Sequence, residues 1–308
     1  MDSPYSGVAS LRSVRMAILA GQLNNLKITA FDVVSAYLEA KTREKLYIIA
    51  GPEFGELQGH ILIVEKALYG LRTSGARWAE SLADELRNDH WTQSIADPAV
   101  WMKDKGTHYD YIVCWVDDAI IISDTPDHIL TKLKKVFSLQ NIGEPKYYLG
   151  ADMGFQDSPE KVFVMGSSTY LKCILEQFER LMGYVPPKNV TSPLDPLDHP
   201  ELYESPIVLI EKRRIYWSLI GMLQWSVTLG RMDIGFSVST MSQFRAEPRE
   251  GHFDRVARIF GFIKNYRDFS IKFRTDKPDY SGYEVKHFDW EYLYEDAGEE
   301  NPKHMPEP

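Results

Sequence analysis

The sequence predicts an α+β fold, in which helices pack on one face of an antiparallel sheet and a helical region follows. Apolar, β-branched runs lie on both sides of Asp117-Asp118 and indicate two buried strands joined by a tight turn. Apolar and polar side chains alternate from Leu26 to Asp32, which indicates another strand whose buried face ends in an acid. Helical stripes separate and follow these strands, and this mixture is typical of an α+β layer.

Each element of the first half follows from its local pattern. Apolar residues at helical spacing predict helices, and short apolar runs bounded by turn residues such as Gly51-Pro52 predict strands. In chain order these patterns predict a helix over 8–23, the strand that ends at Asp32, strands at 46–49 and 61–64, a helix from Trp78 to about Asp89, the hairpin around Asp117-Asp118 and a helix over 129–137.

The second half is predicted to be helical and is interrupted by a proline-rich segment. A helical stripe runs from Leu171 to Leu181, and residues 186–206 then contain six prolines, too many for a helix or a central strand. We interpret 186–206 as an extended linker or a loop, with helices near 211–229 and 249–267 after it. The pattern therefore divides the chain into residues 1–155, a helical region at 156–270 and a tail at 271–308.

Charge is distributed unevenly along the chain. The net charge is −9, and the stretch from Asp276 to Pro308 alone carries ten acids and three lysines. The stretch from Arg245 to Arg274 has eight basic and four acidic residues, so a basic helix there could follow a nucleic-acid backbone. A solvated amphipathic helix face explains the same pattern, and the sequence leaves both interpretations open.

Composition also bears on compartment. The 308 residues are 44% hydrophobic, yet they contain no run of 18 apolar residues, so no membrane span is predicted. The N-terminus lacks the basic and apolar regions of a signal peptide. The two cysteines, Cys114 and Cys173, are expected to be buried free thiols, which fits an intracellular setting.

The acidic pair at the hairpin is the strongest candidate for chemistry. Two adjacent carboxylates, Asp117 and Asp118, repel each other and lose solvation at the tip of an apolar hairpin unless a cation neutralises them. A solvated Asp-Asp turn is the alternative, because Asp is a common turn residue. A third acid, Asp32, ends a separate strand, and this layout is typical of a two-metal site for phosphoryl transfer.

These motifs resemble those of a known family. The segments Phe31–Leu38 and Trp115–Asp118 resemble the first and second catalytic motifs of reverse transcriptases, in particular those of copia-type LTR retrotransposons. Further segments resemble that branch in the same order, beginning with Lys66–Arg72, Trp78 and Ala96–Trp101. The segment Ile142–Gly150 resembles the hairpin that holds the primer terminus. The thumb of that branch is matched by Tyr216, Leu219–Leu223, Asp233-Ile234 and Ser237–Ser239.

The resemblance implies an RNA-directed DNA polymerase with a palm and a helical thumb. It implies that Asp32, Asp117, Asp118 and the carbonyl of Val33 bind two Mg²⁺ ions, or Mn²⁺ ions in their place. The expected partners are an RNA or DNA template, a DNA primer and deoxynucleoside triphosphates, and the expected compartment is the cytoplasm. Nucleotide-binding roles fall on Ser35, Ala36, Tyr37, Arg72 and Thr73, and primer-positioning roles on Trp115, Val116, Leu149 and Gly150. Tyr37 matches a ring that selects deoxynucleotides by clashing with a 2′-hydroxyl; a core tyrosine is the alternative.

Several features depart from the family pattern. Trp115 replaces the usual Tyr, and Thr73 stands where many relatives have Gln. The chain begins almost at the helix over 8–23, so most of the fingers and their triphosphate contacts have no counterpart; Lys27, Lys41 and Arg72 are candidate substitutes. Phe288-Asp289-Trp290 resembles the first acid motif of ribonuclease H, whose other acids are absent, so no ribonuclease H activity is expected.

Two other functions remain open at this point. A catalytically inactive palm-thumb remnant that binds nucleic acid or protein would fit the net acidity and the missing segments. A different two-metal phosphoryl transferase, such as a nucleotide cyclase, would also have a palm-like sheet, although the motifs at Tyr69-Gly70-Leu71 and Tyr148-Leu149-Gly150 argue against it.

Overall fold

The computed structural model describes residues 6–157, 161–195, 197–277 and 281–282. The chain divides into two units, residues 1–275 and 276–308, and every element named below lies in the first. The helices within the described ranges are α1 (Leu11–Leu23), α2 (Ser74–Asn88), α3 (Pro126–Leu133), α4 (Ser168–Met182), α5 (Ile210–Thr228), α6 (Gly235–Ser242) and α7 (Glu250–Asn265). The strands are β1 (Lys27–Val33), β2 (Lys41–Ile49), β3 (Ile61–Lys66), β4 (Thr92–Gln93), β5 (Val100–Asp104), β6 (Tyr109–Trp115), β7 (Asp118–Ser123), β8 (Leu139–Gly143), β9 (Tyr147–Tyr148), β10 (Ala151–Asp157), β11 (Lys161–Gly166) and β12 (Ser270–Phe273).

A six-stranded antiparallel sheet forms the centre of the first unit. Its strand order is β4-β5-β6-β7-β1-β8, so β1 lies between the acid hairpin and β8. The prediction of a mixed helix and antiparallel-sheet fold is therefore confirmed. The strand ending at Asp32 and the hairpin around Asp117-Asp118 are also present as predicted.

The prediction that helices cover only one face of this sheet is wrong. Helices α2 and α3 pack on one face, against residues such as Phe31 and Ile121. Helix α1 packs on the opposite face, against Ile28 and Ile122. The central strands β1 and β7 are apolar on both faces, so each face needs its own covering layer.

Helix α1 approaches the sheet at a glycine. A Cβ atom added at Gly21 would lie 2.4 Å from Cγ2 of Ile122, a distance that side chains do not tolerate. The absence of a side chain at this position therefore lets the helix backbone rest directly on β7.

The remaining strands form two smaller sheets. β2 pairs with β3, and the order β12-β11-β10-β9 forms a four-stranded sheet. The hairpin predicted over Ile142–Gly150 is partly wrong, because Ile142 and Gly143 belong to β8 in the central sheet. The hairpin instead joins β9 to β10 through Leu149 and Gly150, whose φ angles of 52° and 84° suit a tight two-residue turn.

The helices α4 to α7 share a core of their own. The proline-rich segment 186–206 is a loop, as predicted, but it docks on α7 rather than linking two bodies loosely. Asp198 pairs with Arg255, Nε2 of His252 lies 3.0 Å from the carbonyl of Pro200, and Nδ2 of Asn265 donates to the carbonyl of Val190 at 3.1 Å. None of the helices within the described ranges combines the length and apolar character needed to cross a membrane.

Candidate active site

Strand pairing brings two of the predicted acids face to face. Asp32 at the end of β1 is directly opposite Asp118 at the start of β7. Residues opposite each other in an antiparallel pair have Cβ atoms about 4.5–5.5 Å apart, so the two carboxyl groups meet on one face of the sheet. This juxtaposition joins positions that are far apart in sequence, and only the register of β1 on β7 produces it.

The turn between β6 and β7 holds the third acid. Trp115 pairs with Asp118, so Val116 and Asp117 form a two-residue turn. Val116 has a φ of 54°, which is strained for a β-branched residue. The surrounding structure holds the turn, because Nε1 of Trp78 donates to the carbonyl of Val116 at 2.5 Å, and the amide of Val33 donates to the carbonyl of Asp117 at 2.8 Å.

Burial and neighbouring charge make it costly to ionise all three acids. Burial, a hydrogen bond with Asp32 and the charges of Asp32 and Asp117 raise the pKa of Asp118 to about 6. Asp32 also accepts a hydrogen bond from the side-chain amide of Asn141 in β8. The site therefore favours either a proton on Asp118 or a cation beside it.

The donor set of the three acids fits a hard divalent cation. Carboxylate oxygens and a backbone carbonyl are ligands that Mg²⁺ and Mn²⁺ accept. Within the described ranges, one group of three acidic, His or Cys side chains has its ligand atoms all within 4.8 Å of one another. It consists of His108, Asp110 and Asp124. Asp32, Asp117 and Asp118 do not form such a group.

The residues after β1 build a compact turn beside the acids. Ser35 has a φ of 50°, and a 3₁₀ turn follows over Ala36–Glu39. Ala36 is fully buried, whereas Tyr37 is half-buried, with its ring centroid 4.6 Å from that of Tyr69. The Tyr37 side chain is therefore packed partly against the core and partly exposed.

The other predicted site residues differ in their contacts and in their exposure to solvent. The Thr73 hydroxyl donates to the carboxylate of Glu44, while Arg72 is exposed at the start of α2. Trp115 is half-buried at the end of β6. At the β9–β10 turn, a Cβ atom added at Gly150 would lie 3.3 Å from Nε1 of Trp225, so α5 borders this hairpin closely.

Comparison with known proteins identifies the family. A family model described as "Reverse transcriptase (RNA-dependent DNA polymerase)" matches residues 1–189, more than half of the chain. The chain belongs to the reverse transcriptase family. The family resemblance inferred from the motifs is thereby confirmed, and with it the assignment to a family of RNA-directed DNA polymerases.

Similar proteins are retrotransposon polyproteins. A retrovirus-related Pol polyprotein from transposon TNT 1-94 of Nicotiana tabacum is 24% identical over 92% of this chain and 22% of its own length. A retrovirus-related Pol polyprotein from transposon RE1 of Arabidopsis thaliana is 25% identical over 84% of this chain and 17% of its own length. A transposon Ty1-NL2 Gag-Pol polyprotein of Saccharomyces cerevisiae is 28% identical over 83% of this chain and 15% of its own length. The chain thus spans less than a quarter of each of these relatives.

One candidate substitute for the triphosphate contacts of the reverse transcriptase family is ruled out. Lys27 pairs with Ser123 at the far end of β1 from Asp32. Five residue steps along the strand separate Lys27 from Asp32 by about 17 Å, which is too far for a contact at the same phosphates. Lys41 lies at the start of β2, opposite Lys66, and remains a candidate with Arg72.

Sequence reasoning missed two residues at this candidate site. Asn141 reaches Asp32 because β8 lies beside β1, and Trp225 lines the β9–β10 turn from α5. No local pattern marks either residue. The expectation for Cys173 is wrong as well: Cys114 is buried, but Cys173 lies on the exposed side of α4, opposite the apolar stripe of that helix.

Proposed function

We propose that this chain carries the polymerase core of a copia-type retroelement reverse transcriptase. The proposed reaction is extension of a DNA primer on an RNA or DNA template with deoxynucleoside triphosphates. The observation that supports it best is the register pair Asp32–Asp118, together with the raised pKa of Asp118, about 6. An acid in that state at neutral pH needs a cation nearby for full ionisation.

In the proposed mechanism the protein supplies ligands and positions the substrates. Asp32, Asp117, Asp118 and the carbonyl of Val33 would hold two Mg²⁺ ions, which supply charge neutralisation and a lowered pKa at the primer 3′-hydroxyl. The fixed turn at Val116 keeps Asp117 next to Asp118 while the substrate binds. Because β1 and β7 are central strands with both faces packed, the acids are held on a rigid support.

The remaining assignments place substrates on both sides of the acids. Ser35, Ala36 and Tyr37 would form the floor of the nucleotide site, with Arg72 and Thr73 at its edge. Trp115 and Val116, with Leu149 and Gly150 of the β9–β10 turn, would position the primer end. On this proposal, residues 1–155 are partial fingers and palm, 156–270 a thumb-like region, and 271–308 a tail that begins a connection segment.

A primer-extension assay tests the polymerase proposal. We expect the 308-residue chain to extend a DNA primer on an RNA template with Mg²⁺ or Mn²⁺. Asp117→Asn should reduce extension at least about 100-fold, because loss of an outer-shell partner of a metal site alone costs about 10–100-fold. Asp127→Asn, which changes an exposed acid in the first turn of α3, is the matched control and should retain extension. Equal activity of wild type and Asp117→Asn would contradict the proposal.

Substitution of Tyr37 tests the proposed choice of sugar. Tyr37→Val should increase incorporation of ribonucleotides relative to deoxynucleotides, because the ring would no longer clash with a 2′-hydroxyl. The measurement is the ratio of the two incorporation rates in single-nucleotide extension. A lower thermal stability with an unchanged ratio would instead assign Tyr37 to the core, together with its neighbour Tyr69.

A binding remnant without catalysis is the second candidate. The observation that favours it is that Asp32, Asp117 and Asp118 do not bring one ligand atom each within 4.8 Å of one another. The basic side chains of α7 do not support nucleic-acid binding by that helix, because Arg249, Arg255 and Arg258 contact the 186–206 segment. Salt-dependent binding of a primer-template without extension would favour this function over polymerisation.

A further inference from the structure

A second group of titratable side chains lies at the other end of the acid hairpin. His108 directly precedes β6, Asp110 is the second residue of β6, and Asp124 directly follows β7. Asp110 lies five residue steps along β6 from Trp115, so this group is about 17 Å from the proposed polymerase acids. The ligand atoms of His108, Asp110 and Asp124 all lie within 4.8 Å of one another.

Two buried atoms of this group face each other 3.6 Å apart, beyond hydrogen-bond distance, and have no hydrogen-bond partner among the described residues. They are Oδ1 of Asp110, whose side chain is only 2% exposed, and Nε2 of His108. An unpaired polar atom in the protein interior is costly, and an ionised carboxylate is more costly than a neutral group. A bound ion is one of the explanations for such groups, because it supplies the missing interaction.

The geometry of the two atoms suits a metal ion. Nε2 of His108 lies 3.6 Å from Oδ1 of Asp110. Two ligands of a tetrahedral zinc ion, each about 2.1 Å from the metal, lie about 3.4 Å apart. Nδ1 of His108 is 3.0 Å from Oγ1 of Thr107, and donation by Nδ1 would leave the Nε2 lone pair directed at the acids.

Lys105 competes for the same space. Its Nζ lies 3.7 Å from Oδ2 of Asp110 and 3.9 Å from Oδ1 of Asp124, which are ion-pair distances longer than a hydrogen bond. The Lys105 side chain is 34% exposed, so it can move into solvent when a dication arrives. The lysine therefore offsets the acidic charge only loosely.

We propose that His108, Asp110 and Asp124 form a binding site for a transition-metal dication of the Zn²⁺ class, separate from the polymerase acids. One imidazole nitrogen with two carboxylates favours such an ion over Mg²⁺ or Ca²⁺, which prefer oxygen ligands throughout. Three protein ligands leave the fourth position to water. The bound ion would tie the β5–β6 turn to the end of β7 and so brace the hairpin that carries Asp117 and Asp118.

Zinc titration of the complete chain against a competing chelator tests this site. We expect His108→Gln and Asp124→Asn each to weaken zinc binding at least 10-fold. His128→Gln, on the exposed side of α3, is the control and should leave that affinity unchanged, whereas Asp118→Asn shows whether any zinc is held by the polymerase acids instead. Because the Asp124 side chain is 47% exposed, its substitution should leave the fold intact, and circular dichroism checks this.

Substitution of Lys105 should change the zinc affinity in the opposite direction. Lys105→Met should tighten zinc binding and increase the rise in melting temperature that zinc produces, because the cation that shares the site is removed. The proposal is overturned if wild type binds no zinc, if only Asp118→Asn weakens binding, or if Lys105→Met lowers stability without changing zinc affinity. None of these outcomes depends on polymerase activity.

Discussion

At the scale of single residues, the site combines backbone strain with electrostatic strain. Val116 adopts a left-handed conformation that a β-branched residue rarely takes, and hydrogen bonds to its carbonyl and to that of Asp117 hold it there. Asp118 is placed where burial and Asp32 oppose its ionisation. Both features cost stability, so they indicate a site organised for binding rather than for folding.

The pKa of Asp118 leads to a prediction for the metal-free chain. Because the folded pKa is raised from 3.8 to about 6, the stability linked to this group is fully present below pH 4 and is lost as pH rises through 6. Asp118→Asn should therefore exceed wild type in free energy of unfolding at pH 7.5 by on the order of 1 kcal/mol, allowing for solvent screening. Urea unfolding across pH 4 to 8 measures the gap, which should close toward pH 4. A gap independent of pH would contradict this account.

At the scale of elements, helix packing on the sheet depends on close backbone approach. Helix α1 rests on β7 at Gly21, where a Cβ atom would meet Ile122 at 2.4 Å. Gly221 in α5 offers the opposite situation, because its Cβ atom would have nothing within 4 Å. The two glycines therefore separate the effect of packing from the intrinsic helix propensity of alanine.

Alanine substitution at these glycines should have opposite effects. Gly21→Ala is expected to lower the free energy of unfolding by about 1–3 kcal/mol, because the added methyl group pushes α1 away from the sheet. Gly221→Ala is expected to raise it by about 0.5–1 kcal/mol, because alanine favours the helix and meets no neighbour. Chemical unfolding of both variants measures the change. Stabilisation by Gly21→Ala would show that α1 does not rest on β7 at this point.

At the scale of the first unit, the sheet half and the helical half share a core. Leu229, just after α5, is fully buried in the same cluster as Ile122 and Phe163. A guanidinium nitrogen of Arg15 in α1 donates to the carbonyl of Thr228 at 2.6 Å. These contacts couple the two halves, so they should unfold together.

We expect one cooperative unfolding transition and a large effect of truncation at Leu229. Leu229→Ala should lower the free energy of unfolding by about 2–5 kcal/mol, because it leaves a cavity in the shared core. Leu197→Ala is the control, since that side chain is 85% exposed and should change stability little. Calorimetry and circular dichroism measure the transition. Two separate transitions, with Leu229→Ala affecting one alone, would contradict the shared core.

Local pattern predicts much of this molecule. Helical stripes at Leu171, Ile174 and Phe178 and the β-branched runs beside Asp117-Asp118 place α4 and the acid hairpin correctly. Their periodicity is a property of neighbouring residues, so it is visible without the fold. The pairing of acids on separate strands could be suspected from the family motifs, but its register could not be derived from them.

Contacts between distant residues account for what local pattern did not reveal. Asn141 reaches Asp32 across 109 positions because β8 pairs with β1, and α1 covers the face opposite α2 and α3 because the central strands are apolar on both sides. The docking of the proline-rich segment on α7 is of the same kind. Neighbouring residues set which elements form, whereas the burial of their remaining apolar faces and unpaired polar groups sets how those elements meet.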